Sequence, residues 1–210
     1  MIDIKIDGIK YQLPKLSEIS ISRFIDYLEF IDKYEPDEEE KNMLVWLKFY
    51  TKHIAFWTGA DEKLIRKCKA EDISGVYAVH QNYLSPVENK TYNCFEISGE
   101  IYYLPLRFMQ ESTIEDFAEA NEYEKQLADL LNGHYRVLPK VAAVICRKED
   151  EGFDDYKVEE RAKLFESELS ADDLFQVGFF LQRQSEKLQK NLQIYTMSQT
   201  LGALKQVSKT

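Results

Sequence analysis

Apolar and polar residues alternate at the start of the chain. Ile4, Ile6, Ile9 and Tyr11 flank Asp7-Gly8, a pair that supplies the positive φ values of a tight hairpin turn. Pro14 ends the second strand because it has no N–H for the ladder. From about Ser20 the period changes. Ile21, Phe24, Ile25, Leu28 and Ile31 recur at helical spacing and predict an amphipathic helix that Pro36 breaks. Asp37 is placed to cap the next helix, with Glu40 as its capping-box partner. That helix carries Met43, Leu44, Trp46, Leu47, Phe49, Tyr50, Ile54, Phe56 and Trp57 around most of its circumference, which predicts burial on nearly all sides. Gly59 is its stop signal. Asp61 opens a short helix with Leu64 and Ile65, and another begins near Glu71, with Ile73, Val76, Tyr77 and Tyr83 as core positions. Ser85-Pro86 closes this half.

The second half restarts with strands at about 92–97 and 100–104, turned by Ser98-Gly99. Ser112 or Thr113 caps a helix with Ile114, Phe117 and Ala118 on one face, and Gly133 ends it. Leu138, Val141, Ala142, Val144 and Ile145 form a compact apolar helix. The acidic stretch 148–155 reads as a loop, followed by helices at about 158–168 and 171–192, the last capped by Ser170 with Asp173.

The two halves resemble each other. Residues 4–14 read IKIDGIKYQLP and residues 95–105 read FEISGEIYYLP, identical at five of eleven positions. The following helices align as well, Ile21 with Ile114 and Phe24 with Phe117. Further on, Lys63-Leu64 matches Lys163-Leu164, and the run from Ala70 to Ile73 matches that from Ala171 to Leu174. The separation grows from 91 to 101 residues, as loop insertions in a second copy would require. A duplicated module is the expectation, with the two copies covering each other's apolar sides. The predicted organisation is a module over residues 1–88, a second over 89–193 on one shared core, and a flexible tail over 194–210. The predicted fold class is α+β, predominantly helical, with two short hairpins each followed by helices.

Composition narrows the function classes. The chain has 210 residues and a net charge of −10. That balance disfavours nucleic acid or an anionic membrane as the main partner. No basic segment followed by an apolar run opens the chain, so no secretory signal is expected, and a cytoplasmic setting is the expectation. Cys68, Cys94 and Cys146 are too scattered for a disulfide framework. Cys94 and Cys146 are expected to be buried and inert. Cys68 lies between Lys67 and Lys69, a setting that can activate a thiol. His53, His80 and His134 lack metal-ligand spacing to one another or to a cysteine, so each is expected separately, at the surface or the core edge. The acidic runs at residues 38–40 and 149–151 lack calcium-loop spacing and read as solvated faces. No catalytic, cofactor or metal residues are assigned. The residues assigned to partner binding are Phe175, Phe179 and Phe180 of the last helix, with Met197, Leu201 and Leu204 of the tail.

One stretch carries a resemblance. Residues 53–84, HIAFWTGADEKLIRKCKAEDISGVYAVHQNYL, show an apolar helix ending in Thr-Gly, a short helix opened by an acidic residue, and a third opened by Ala-Glu-Asp-Ile. This resembles the small tail assembly chaperones of bacteriophages. STIEDFAEANEYEKQLADLL, followed by LPKVAAVIC, is similar to phage virion-assembly proteins. Those chaperones are smaller and largely single-module, so the hairpin-led duplication has no counterpart there. The resemblance implies a non-enzymatic role: binding apolar helical segments of a protein partner, such as a tape-measure protein, before tail assembly. The alternatives are a structural ring or neck component of a phage particle and a small enzyme with an unrecognised carboxylate site.

Overall fold

The computed structural model describes residues 1–37, 39–89, 92–104, 114, 134–149, 151, 155–184 and 186. Among these the fold is α+β and predominantly helical, with two small antiparallel sheets. Strands β1 (Ile2–Ile6) and β2 (Ile9–Leu13) pair with Ile6 opposite Ile9; β3 (Cys94–Ile97) and β4 (Glu100–Tyr103) pair with Ile97 opposite Glu100. The two turns share one conformation. Asp7 and Gly8 have φ of 51° and 80°; Ser98 and Gly99 have 52° and 81°. Two consecutive positive φ values follow the right-handed twist of the strands, and glycine holds the second without a Cβ penalty. Ile6 and Ile97, and likewise Leu13 and Leu104, are buried at equivalent places.

Beyond the hairpins the matched positions agree in part: Ala70 and Ala171 both open helices, with Ile73 and Leu174 both buried. Ile21 is buried, whereas its counterpart Ile114 is 88% exposed. The matched Lys-Leu pairs lie in helices of 4 and 14 residues. Ser112, Thr113, Phe117, Ala118 and Gly133 lie outside the described residues.

Helix α1 (Ile21–Tyr34) starts where Ser20 Oγ accepts the Arg23 N–H. Its buried face holds Ile21, Phe24 and Ile25, and also Tyr27, which the apolar stripe did not include. Helix α2 (Met43–Thr58) begins later than the Asp37 signal indicated. Its cap is Asn42, whose side chain accepts the Leu44 N–H at 3.0 Å. The Asp37 carbonyl instead accepts the Glu40 N–H within a turn, and the Glu40 carboxylate accepts the Asn42 N–H at 2.7 Å. The Trp46 indole N–H donates to the Glu40 carbonyl, holding that turn against the helix start. Burial along α2 also differs from the expectation, because its inward positions begin only at Phe49. Gly59 ends the helix in the left-handed region.

Asp61 caps the short α3 (Glu62–Ile65), and α4 (Ala70–Leu84) runs back against α2. Ile73, His80 and Leu84 take its inward positions. Tyr83 turns outward, with the Lys15 ammonium 5.0 Å from its ring centroid. Helix α5 (Leu138–Ile145) is buried at every position but Lys140, and α6 (Asp155–Glu168) packs on it. Helix α6 starts inside the stretch expected as loop. Helix α7 spans residues 171–184, the described part of the helix expected to reach 192. Ser170 and Asp173 form its capping box: the hydroxyl accepts the Asp173 N–H at 3.1 Å, and the carboxylate accepts the Ser170 N–H at 3.1 Å. Ser170→Ala is expected to cost about 1 kcal/mol, read as a shift of the urea midpoint without a change of slope.

One apolar cluster draws on both halves: Leu13, Phe24 and Trp57 belong to it with Phe95, Val141, Phe165 and Val177. The rings of Phe24 and Phe175 meet edge-on at 5.4 Å. The Ala171 N–H donates to the Ile19 carbonyl, joining the starts of α1 and α7. A smaller cluster of Ile6, Ile54, Ala60, Ile65 and Ile73 lies beneath the first hairpin.

Candidate functional site

Burying an imidazole is costly unless both ring nitrogens are hydrogen-bonded. His53 of α2 and His80 of α4 are each 0% exposed, a correction to the expectation of separate surface or core-edge histidines. His53 Nε2 lies 2.9 Å from His80 Nδ1. His53 Nδ1 lies 3.1 Å from the Tyr27 hydroxyl, to which the Gln81 amide donates, and His80 Nε2 lies 2.8 Å from the Pro14 carbonyl.

The Pro14 carbonyl can only accept, and this fixes every proton in the chain. His80 must carry its proton on Nε2, which leaves Nδ1 bare. His53 therefore donates from Nε2 and presents a bare Nδ1. Tyr27 donates to that nitrogen, and its oxygen accepts from Gln81. The result is a one-directional, neutral chain joining the end of β2, α1, α2 and α4. Desolvation lowers both imidazoles from the ordinary histidine value; for His53 burial, reinforced by the neighbouring His80, pushes the pKa down to about 3, while for His80 the Pro14 bond opposes the shift. Burial likewise raises Tyr27, and raises the adjacent Tyr77 to about 12. The whole group stays uncharged near neutral pH.

The linear sequence hides this pair because the histidines are 27 positions apart. A helical-face count would have found it. His53 lies four residues from both Phe49 and Trp57, and His80 lies seven after Ile73 and four before Leu84. Both histidines therefore sit on the apolar stripes of their helices.

Arg161 of α6 is a second buried polar group. Its guanidinium donates to the Ala143 and Cys146 carbonyls and to the Glu151 carboxylate at 2.7 Å. It thereby satisfies carbonyls that the end of α5 leaves unpaired and places a positive charge at that negative terminus. Outside it lies a groove of about 900 Å³ lined by Tyr102, Lys148, Glu149, Lys157, Glu160 and Lys163, where the two signs of charge are mixed. Another groove, of about 670 Å³, lies among Lys15, Tyr83, Asn82, Tyr92 and Asp172. Burial raises the Asp172 carboxyl above its ordinary value. At its wall Gln176 donates to the Val87 carbonyl and accepts the Asn89 N–H, fastening the connection between the halves to α7.

The cysteines divide differently from the expectation. Cys146 is buried, and desolvation raises its thiol. Cys94 is exposed, because Phe95 and Ile97 take the inward positions of β3 and alternation turns Cys94 outward. Among the described residues no group of three or more His, Cys, Asp and Glu side chains is placed to hold a metal ion.

Compared with known protein families, curated proteins and solved structures, the chain matches none.

Phe175 and Phe180 are interior residues, and Phe179 is partly buried against the same core. Phe175 packs edge-on against Phe24 and Tyr135. These side chains serve packing within the chain, and the structure does not offer Phe175 or Phe180 as a surface. Met197, Leu201 and Leu204 lie outside the described residues. Exposed apolar surface occurs elsewhere. The first five residues of α2, Met43 to Leu47, are all apolar, and none is buried. Met43 is 65% and Leu44 58% exposed. A thinner strip on α4 and beyond comprises Val79, Tyr83 and Val87. No helix among the described residues is long and apolar enough to cross a membrane.

Proposed function

We propose that this chain is a non-enzymatic phage assembly protein, similar in role to tail assembly chaperones, that binds apolar helical segments of a protein partner such as a tape-measure protein. The observation that carries this reading is the start of α2. Met43 and Leu44 stand exposed at its first turn, and Val45, Trp46 and Leu47 behind them are only half-buried, so none of this apolar run is fully taken into the core. Apolar surface held out by a rigid helix suits the capture of an amphipathic partner helix, which pairs side chains at i, i+3, i+4 and i+7 with such a face. Exposed runs of this kind mark interaction sites more often than solitary exposed residues do. The net charge of −10 keeps the body in solution while that face is free.

The test is affinity capture of the tagged full-length chain from phage-infected cells, beside the Met43→Asp/Leu44→Asp variant. The expected result is recovery of a tape-measure or other virion protein with the native chain and at least tenfold less with the variant, since two buried leucine-sized contacts contribute about 3–6 kcal/mol. Recovery of no virion protein, or equal recovery with both, contradicts the proposal. Presence of the chain in purified particles at fixed stoichiometry assigns it to the particle instead.

A further inference from the structure

The His53–His80 chain can accept one proton and has no arrangement for two. In the neutral state the protons run in one direction, from Gln81 through Tyr27, His53 and His80 to the Pro14 carbonyl. A first proton, placed on His80 Nδ1, makes His53 Nε2 the acceptor. His53 then donates from Nδ1 to the Tyr27 oxygen, and the Gln81 amide can turn over to accept the Tyr27 hydroxyl proton. A second proton gives both rings two N–H groups. The His53 Nε2–H then faces the His80 Nδ1–H across a 2.9 Å contact, with two positive charges in an apolar interior.

We propose that the His53–His80 pair is an acid-operated lock, whose double protonation separates α2, α4 and the end of β2 and releases the first hairpin and its helices before the α5–α7 part of the molecule.

Among the described residues, no carboxylate is hydrogen-bonded to either ring. From α1 the pair faces Tyr27, with Glu35 just past the helix end acting by charge on Tyr27 and Tyr77. From α2 itself it faces Tyr50 by way of Tyr77, whose rings stack at 4.2 Å, and from α4 it faces Tyr77 directly. The nearby cations are Arg23, stacked on Phe56 and Trp57, and Lys15, which follows Pro14 and lies over Tyr83. Each ring nitrogen of the pair is bonded to a hydroxyl, the other ring or a carbonyl rather than to a carboxylate. The lowered pKa values agree in direction. A histidine whose folded pKa is depressed contributes its full stability above the unfolded value near 6.5, and that stability is lost as pH falls through this value toward the folded one. Pro14 terminates β2, and Ile6 of β1 joins Ile54, Ala60, Ile65 and Ile73 in the smaller cluster. Leu13, Trp57 and Leu84 of the same elements also enter the core shared with α5, α6 and α7, where the Trp57 ring meets His80 edge-on at 5.6 Å, so separation of α2 and α4 strips one side of that core while the packing of α5 on α6 is left in place.

The test is hydrogen exchange read by mass spectrometry on the full-length chain from pH 7.5 to 4, with protection corrected for intrinsic exchange. Below pH 6.5, peptides from residues 2–13 and 43–84 are expected to lose protection tenfold to a hundredfold per pH unit, tenfold for each proton taken up. Peptides from residues 138–145 and 158–181 should hold until lower pH. His53→Gln/His80→Gln, which keeps a donor and an acceptor at each place but binds no proton, should flatten the profile of the first set. Equal loss across all peptides, no loss down to pH 4, or an unchanged profile in a folded double variant overturns the proposal. If the double variant does not fold, the order of loss in the native chain decides alone.

Discussion

Tyr27→Ala is expected to be among the most damaging single substitutions in the chain, at about 3–5 kcal/mol, whereas Tyr27→Phe should cost about 1–3 kcal/mol. The ring of Tyr27 sits among five others, with centroids 5.0 Å from Trp57, 5.3 Å from His53, 5.8 Å from Phe56, 6.1 Å from Phe30 and 6.5 Å from Phe24. Its removal opens a cavity where α1 meets α2. The hydroxyl alone is the link between His53 Nδ1 and Gln81. Its loss leaves a buried acceptor without its donor but keeps the packing. Urea unfolding of the three proteins should rank native above phenylalanine above alanine with a common slope. Equal losses for the two variants would mean that the hydroxyl, and not the ring, is the whole contribution.

Phe165→Ala is expected to have a comparable effect in the other half. Phe165 is completely buried and meets Phe95 and Tyr102 edge-on at 5.1 and 5.0 Å, so it is the wedge that fixes the second hairpin to α6. Edge-to-face aromatic pairs add to the burial of the ring. The loss of about 3–5 kcal/mol corresponds to roughly 6–20 °C in melting temperature for a chain of this size. Ile114→Ala, at a site 88% exposed, should stay within about 0.5 kcal/mol of the native chain. A thermal scan of both variants checks the pair, and similar melting temperatures would contradict the packing described for Phe165.

Much of this architecture is legible residue by residue. Asp7-Gly8 and Ser98-Gly99 force their turns because few other dipeptides accept two positive φ values in succession. Asp61, Gly59 and the Ser170–Asp173 box mark helix ends by satisfying backbone groups that sequence neighbours alone supply. What stayed hidden depends on partners distant in sequence. Asp37 and Glu40 have capping-box spacing, yet the indole of Trp46 draws that turn aside and Asn42 becomes the cap. The apolar run at the start of α2 reads as core because periodicity reports a helix face and not what lies opposite it. Phe175 and Phe180 read as surplus until Phe24 and Tyr135 are set against Phe175. The two histidines read as unrelated because only the return of α4 along α2 brings them together.

The same return explains how the candidate interface is held. From Phe49 onward α2 is fixed by packing and by the His53 chain, so its first turn is presented on a rigid stem. This depends on both imidazoles being neutral and ordered as the Pro14 carbonyl dictates. The most direct check is the ring nitrogen chemical shifts of ¹⁵N-histidine-labelled protein at pH 7. Two rings should each show a protonated Nε2 and a bare, hydrogen-bonded Nδ1. A charged ring, or a proton on Nδ1 of either residue, would contradict that arrangement.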